Sequence, residues 1–506
     1  MKKMTEFRID ISKPKKAFAD HLNLEGNKRI IFSGPFGIGK TTFIKEFSEI
    51  NKEKYNVIHL FPVNYSVSSN EDIFELIKYD LFYEILKFEP IVDQTSISKL
   101  EHLPFFAKQE FNKLIHIFLK AIPKIGKPIS EVLKDLDSLV GKFKEENEDL
   151  NKTEFSHIAS FIEGMSESKG SIYEFDFYSS LIKSLLENIK SPKEEGGPVK
   201  ENILVIDDLD RVDPDHLFRL LNVFAAHVDF DKEEDNKFGF EKVVFVLDIK
   251  NVLNIFQNRY GQNVDFSGYI DKFYSKTVFE FNIQEEIIDS LNVLFKSITT
   301  EANSIANFTY HNNAVSGGID FIIRALVASQ YLNLRSLLKL NGLTYFEIGR
   351  KIILSISSKN DVANSTQLNF PLIIEFLRFL FGSTQGLEIG LVRLKNVGVS
   401  GMASEDVRNK KTVHKIADLL PVLDKENFPY NSFTSLDERY RYDDTANGFS
   451  YDYSVISDGY RYSSRVIKSY KMGDNLERGD EVTDVLPSVY FKMLWEAYLL
   501  YEKSIN

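Results

Sequence analysis

The stretch Gly34-Pro-Phe36-Gly37-Ile38-Gly39-Lys40-Thr41 has the spacing G-x-x-x-x-G-K-[ST]. Glycines at these positions let the backbone curl until successive N–H groups point inward at an anion, and a helix that begins at once adds the positive end of its dipole. Lys40 brings a mobile positive charge, and the Thr41 hydroxyl brings an oxygen for a hard cation. The pattern spells a phosphate cradle. Its candidate binding residues are Gly34, Phe36, Gly37, Ile38, Gly39, Lys40, Thr41 and Thr42. The flanks agree, because Arg29-Ile-Ile-Phe-Ser33 is a short apolar run and Thr41-Thr-Phe-Ile-Lys-Glu-Phe47 is helix-like.

Outward from this loop, strands alternate with helices. Tyr55–Phe61 is a second strand candidate, and Ser69-Asn70 before Glu71-Asp72 reads as a helix cap. The next strand of similar quality is Asn202-Ile-Leu-Val-Ile206, followed by Asp207-Asp-Leu-Asp-Arg211 and a helix whose Pro214 suits a first turn. Lys242-Val-Val-Phe-Val-Leu247 is a continuous apolar run of the kind buried on both faces of a parallel sheet. The order predicts an α/β domain. At the end of the third strand, Asp207 is placed to reach a magnesium shell, directly or through water. Asp208 stands where related nucleotidases keep an acid that orients and deprotonates a water. Taken alone, the same segment also suits a solvated loop closed by a salt bridge. Asp208 is one methylene shorter than the glutamate many such ATPases use, which suits a slow switch better than a motor.

Between these motifs, residues 81–198 show mostly helical periodicity, as in Glu131–Leu150, and close on the linker-like Ser191–Pro198. The predicted organisation is therefore a P-loop NTPase core in two parts, residues 1–80 and 199–283, with a helical insertion at 81–198. A second helical segment at 284–350 and an α+β C-terminal region at 351–506 follow. That last region is rich in tyrosine: Tyr440, Tyr442, Tyr451, Tyr453, Tyr460 and Tyr462 suggest strands around the Asp458-Gly459 turn. Such tyrosines either stack nucleic-acid bases, line an interface, or serve as ordinary strand residues.

Composition narrows the function. The 506 residues carry 62 Lys+Arg against 74 Asp+Glu, a formal charge of −12, which argues against a protein that mainly wraps bare DNA. With no cysteine, disulfides, zinc fingers, iron–sulfur clusters and thiol nucleophiles drop out, and a reducing cytoplasm is the expected setting. Residues 1–16 carry lysines without the apolar region of a signal peptide, and the apolar stretches Phe105–Ile122 and Ile319–Leu340 are broken by charges, so no membrane span is predicted. The nine histidines form no metal-spaced pair. His59 reads as a core or sheet-edge residue, and Arg408, Lys410, Lys411 and Lys415 make only a small basic cluster.

Four stretches together resemble the KAP P-loop NTPases, a group within the STAND-type ATPases. They are the loop Gly34–Lys40, with Phe36 where tryptophan is frequent; Asp207-Asp-Leu-Asp-Arg211 after its apolar strand; Val243–Leu247 with Asp248 and the helix Asn251–Tyr260; and Gly268-Tyr-Ile-Asp-Lys272-Phe. The resemblance covers roughly residues 10–345. It implies binding and hydrolysis of ATP with Mg²⁺, that the helical segment at 284–350 is a lid, and assembly into homo-oligomers when ATP is bound. Asp248 resembles a sensor of the γ-phosphate, and equally suits an N-cap. Arg335, in Leu332–Lys339, looks like the lid arginine of AAA-related ATPases, or a helix-surface salt-bridge residue. Arg211 and Lys272 are further candidates for positive charge at the phosphates or at a subunit interface.

The leading expectation is thus a Mg²⁺-dependent ATPase acting as a conformational switch on an unidentified protein partner, in bacterial antiphage defence by family analogy. The catalytic candidates are Asp208, Lys40, Asp248 and Arg335, and the metal candidates are Thr41 and Asp207. An alternative is a nucleic-acid-associated ATPase whose C-terminal region reads DNA or RNA, which the acidic balance weighs against. A third is a small-molecule or nucleotide kinase, for which the insertion and C-terminal extension have no evident use.

Overall fold

The computed structural model describes residues 8–63, 199–225, 238–297, 313–340, 369–396, 412–424, 439–457, 462–472 and 485–505, with Asn236 and helical positions within 77–85 and 182–190. The helix read at Glu131–Leu150, the cap at Ser69-Asn70, the linker Ser191–Pro198, the Asp458-Gly459 turn, and Arg408, Lys410 and Lys411 lie outside the described residues, as does most of the 81–198 insertion. The chain divides into two compact units, residues 12–282 and residues 283–506 with 1–11.

In the first unit the apolar runs become β1 (Arg29–Ser33), β2 (Tyr55–Leu60), β3 (Glu201–Ile206) and β4 (Lys242–Leu247). A two-residue strand, β5 (Phe279–Glu280), joins them and had no apolar run to announce it. All pair in parallel, in the order β2-β3-β4-β1-β5. Five consecutive residues of β3 and of β4 are buried, so both faces of the sheet centre are covered.

Phenylalanines build the layer behind β1. Phe18 of helix α1 (Ser12–Leu22), Phe32 of β1, Phe43 and Phe47 of helix α2 (Lys40–Ile50), Phe279 of β5 and Phe281 form one ring cluster. The Phe43–Phe281 centroids are 4.5 Å apart, and Phe32 lies 5.0 Å from both Phe18 and Phe281. Each such pair adds about 0.5–1.5 kcal/mol beyond its burial. A second aromatic cluster ties helix α3 (Pro214–Ala225) to α4 (Ile249–Tyr260) and α5 (Phe266–Ile270) through Phe218, Phe256 and Tyr269. At the amino-terminal end of the sheet, Asn56 Nδ2 donates to Asn202 Oδ1 at 3.0 Å and to Ile189 O at 3.1 Å, while Asn202 Nδ2 donates to Leu186 O at 3.0 Å. These buried amides root Leu186 and Ile189 on β2 and β3.

The second unit is helical and then mixed. Helices α6 (Gln284–Ser297), α7 (Asn313–Ala328), α8 (Leu334–Leu338), α9 (Asn369–Phe381), α10 (Thr384–Asn396), α11 (Val413–Ile416) and α12 (Leu420–Leu423) precede an antiparallel sheet. Its strands β6 (Arg439–Asp444), β7 (Phe449–Ser457) and β8 (Tyr462–Lys471) lie in sequence order, and helix α13 (Pro487–Ile505) closes the unit. Tyr451 and Tyr453 are fully buried, and the Tyr453 hydroxyl donates to Asp424 Oδ2 at 3.0 Å. Burial and the neighbouring Asp424 carboxylate push the Tyr453 phenol far above its ordinary value. No helix among the described residues is long and apolar enough to cross a membrane.

Charge is buried where α7 meets α6. Arg324, 3% exposed, donates through Nε to Asp320 Oδ1 at 2.7 Å, through Nη1 to Ile288 O at 3.1 Å, and through Nη2 to Asn292 Oδ1 at 3.1 Å. Removing one partner of a buried pair costs far more than replacing both. Arg324→Met is therefore expected to lower stability by about 3–5 kcal/mol in urea unfolding, and the double variant Asp320→Leu/Arg324→Met to recover most of the loss.

Candidate functional site

Three neighbouring strands end at one edge of the parallel sheet. β4 lies between β1 and β3, with Ser33 opposite Leu247 and Ile206 opposite Phe245. Asp207 and Asp208 follow directly after Ile206, the last residue of β3. The loop 34–39, Asp207 and Asp248 thus leave the same carboxyl-terminal edge, with β1 and β3 about 10 Å apart across β4.

Backbone bonds fix the loop to that edge. Gly34 N–H donates to Leu247 O at 3.1 Å, and Phe281 N–H donates to Ser33 O at 2.6 Å. A Cβ on Gly34 would stand 2.9 Å from the Phe281 carbonyl oxygen, so the chain can pass there only as glycine. At the helix start Gly39 takes φ 100°, a left-handed conformation natural to glycine. Ile38 is buried, Phe36 is exposed, Thr41 is half-buried and Thr42 is exposed on the first turn of α2. Lys40 is only 7% exposed, and its ammonium donates to Gly34 O at 2.7 Å and to Pro35 O at 3.4 Å, which holds Nζ inside the curl of the loop.

Opposite the loop, Asp207 is fully buried. Its Oδ1 accepts from Asp208 N–H at 2.7 Å, and its Oδ2 lies 3.0 Å from His59 Nε2. Asp208 has φ 55°, unusual for a residue with a side chain, and its Oδ2 accepts from Arg211 Nη1 at 3.0 Å. The Arg211 guanidinium lies 5.6 Å from the ring centre of Phe36, so Asp208, Arg211 and the loop tip form one chain of contacts. Asp210, on the 3₁₀ turn Leu209–Arg211, is buried and takes Asn251 Nδ2 at 3.4 Å. Burial pushes its carboxyl above the ordinary value, the Lys40 ammonium and the Asn251 bond pull it back, and the Asp248 charge pushes it up again. Lys40, Asp210 and Asp248 therefore share one electrostatic neighbourhood.

Asp248 has the geometry of an N-cap, its Oδ1 accepting from Lys250 N–H at 3.0 Å. Lys272 is exposed over the Tyr269 ring at 5.2 Å. Arg335 belongs to the other unit, on α8, where Asn333 caps the helix by accepting from Ser336 N–H. The cluster at the sheet edge thus unites Gly34–Thr41, Asp207, Asp208 and Asp248, and adds His59, Asp210 and Asn251.

A model of the KAP family P-loop domain matches residues 16–341. The chain belongs to the KAP family. The solved structure of the Aeropyrum pernix ORC2 protein, in ADPNP and ADP complexes, is similar at 9% identity over 98% of this chain and 95% of that one, with a TM-score of 0.25. No curated protein matches the sequence. The match of the KAP domain spans both motifs, the strands that carry them, and helices α6 to α8.

For this KAP domain the raised Asp210 carboxyl has a signed consequence. A carboxyl held above its ordinary value binds its proton more tightly in the folded state, so it costs stability once pH rises past the unfolded carboxylate range. Asp210→Asn is expected to raise the unfolding temperature at pH 8, with the gain shrinking as the buffer is taken toward about pH 3, where the unfolded carboxyl also mostly holds its proton.

Proposed function

We propose that this KAP protein binds ATP with Mg²⁺ at the loop 34–42, hydrolyses it slowly, and uses the cycle as a conformational switch. The observation that carries this reading is the convergence of Lys40, Asp207, Asp208 and Asp210 on one edge of the sheet, beside a loop only glycine can build. The donor set suits the ligands. Magnesium is usually held by one or two protein oxygens together with phosphates, and Thr41 and Asp207 supply such oxygens beside an anion cradle. Among the described residues no group of three or more His, Asp and Glu is spaced to hold a metal by itself, which fits a cation that arrives with its nucleotide.

In this mechanism the loop N–H groups and the Lys40 ammonium bind the phosphates and stabilise charge that develops on them. Mg²⁺, when bound, would act as a Lewis acid at the phosphate oxygens. Asp208 orients the attacking water and takes its proton once Arg211 releases it. Phosphate charge on the loop competes for that guanidinium, so binding at Phe36 and exposure of the acid are linked. Asp248 is assigned as a sensor of the γ-phosphate.

By family analogy, the setting is bacterial antiphage defence in the cytoplasm, with ATP-bound copies assembling and the insertion and C-terminal region engaging a protein partner. A C-terminal reader of nucleic acid is less well supported, since Tyr451 and Tyr453 face the core and cannot stack on bases.

Lys40→Ala is expected to weaken binding of a fluorescent ATP analogue by at least tenfold and to abolish phosphate release. Asp208→Asn should bind normally and hydrolyse at least about a hundredfold more slowly. Normal binding and turnover in Lys40→Ala would refute the assignment.

A further inference from the structure

His59 carries no recognisable motif, yet it touches the most buried carboxylate of the site. Its Nε2 lies 3.0 Å from Asp207 Oδ2, with the imidazole 14% and the carboxylate 0% exposed. The contact follows from register. His59 on the outer strand β2 sits opposite Val205 of β3, and Asp207 lies two residues beyond Val205, so both side chains leave the same face of the sheet. The ring is held from its other side by Phe61, stacked at 4.3 Å and 23°.

An ionised carboxylate only accepts hydrogen bonds, so Nε2 is the protonated nitrogen in this pair. With Asp208 N–H on Oδ1 and His59 on Oδ2, each oxygen of Asp207 has one donor and keeps a second lone pair. A carboxylate gripped at both oxygens has one orientation. We infer that His59 is a positioning residue for the magnesium shell, fixing the Asp207 carboxylate so that its remaining lone pairs are presented to a divalent cation. This rests on the ATPase reading above. Donors behind a ligating side chain typically govern metal affinity by about 10–100-fold.

The test uses the full-length chain with a non-hydrolysable ATP analogue and Mn²⁺ as a paramagnetic probe. Free Mn²⁺ is read by electron paramagnetic resonance, and analogue binding is measured separately in EDTA. His59→Phe keeps the ring against Phe61 but removes the donor. It is expected to weaken nucleotide-dependent Mn²⁺ binding about 10–100-fold while leaving binding in EDTA unchanged. His59→Gln, whose amide N–H reaches to a similar point, should recover most of the loss. Should His59→Phe fail to fold, His59→Asn, whose shorter amide stops short of Asp207, takes its place with the same expected loss. Unchanged Mn²⁺ affinity, an equal loss in EDTA, or a Gln variant no better than Phe would overturn the assignment. A wild-type chain that bound no nucleotide would sink the ATPase reading and this inference together, whereas normal wild-type binding with unaltered variants would sink this one alone.

Discussion

The ladder between β1, β4 and β3 is the constraint on which the site depends. Parallel strands end wherever their register puts them, and here it sets Ser33 opposite Leu247 and Ile206 opposite Phe245. A slip of one residue would turn each side chain of a strand to the opposite face. Asp207 would then leave the side it shares with His59. The phenylalanine cluster behind β1 resists such a slip, because Phe32, Phe43 and Phe281 interlock from strand, helix and loop at centroid distances near contact.

What could be read from the sequence is what depends on local chemistry. The loop needs glycines for its curl and a lysine at the helix start, so its spelling declares it. Four of the five strands were visible as short, largely apolar segments, with five apolar residues in a row in β4, four in β3 and three in β1. β5 escaped, being two residues long and held by pairing with Phe32 and Ser33 rather than by its own composition. The contact of His59 with Asp207 escaped for another reason. It joins residues 148 apart in sequence, and only the neighbouring of β2 and β3 creates it. Asp210 lies within the Asp-Asp-Leu-Asp-Arg motif, but its burial in the field of Lys40 depends on the 3₁₀ turn, where Asn251 of α4 donates to it.

The tyrosines of the C-terminal unit show how composition leaves a question that packing answers. Alternation along β7 suits a base-stacking surface or a half-buried strand equally well. Tyr451 and Tyr453 turn inward, and Asp424 takes the Tyr453 hydroxyl, so that burial of this one phenol does not strand its polar group. The KAP match ends at residue 341, well before these strands.

The two asparagines at the far end of the sheet have a mechanical meaning. Asn56 and Asn202 clamp the backbone at 186 and 189, where the chain returns from the long excursion after β2, to the roots of the strands that end in His59 and Asp207. β3 is six residues long, about 20 Å, and stiff along its length. A tug on the returning helix must either break buried hydrogen bonds of the two asparagine amides or drag β2 and β3 along their axes. The chain that returns at 186 and 189 is thus fastened to the same two strands that carry His59 and Asp207 toward their other ends.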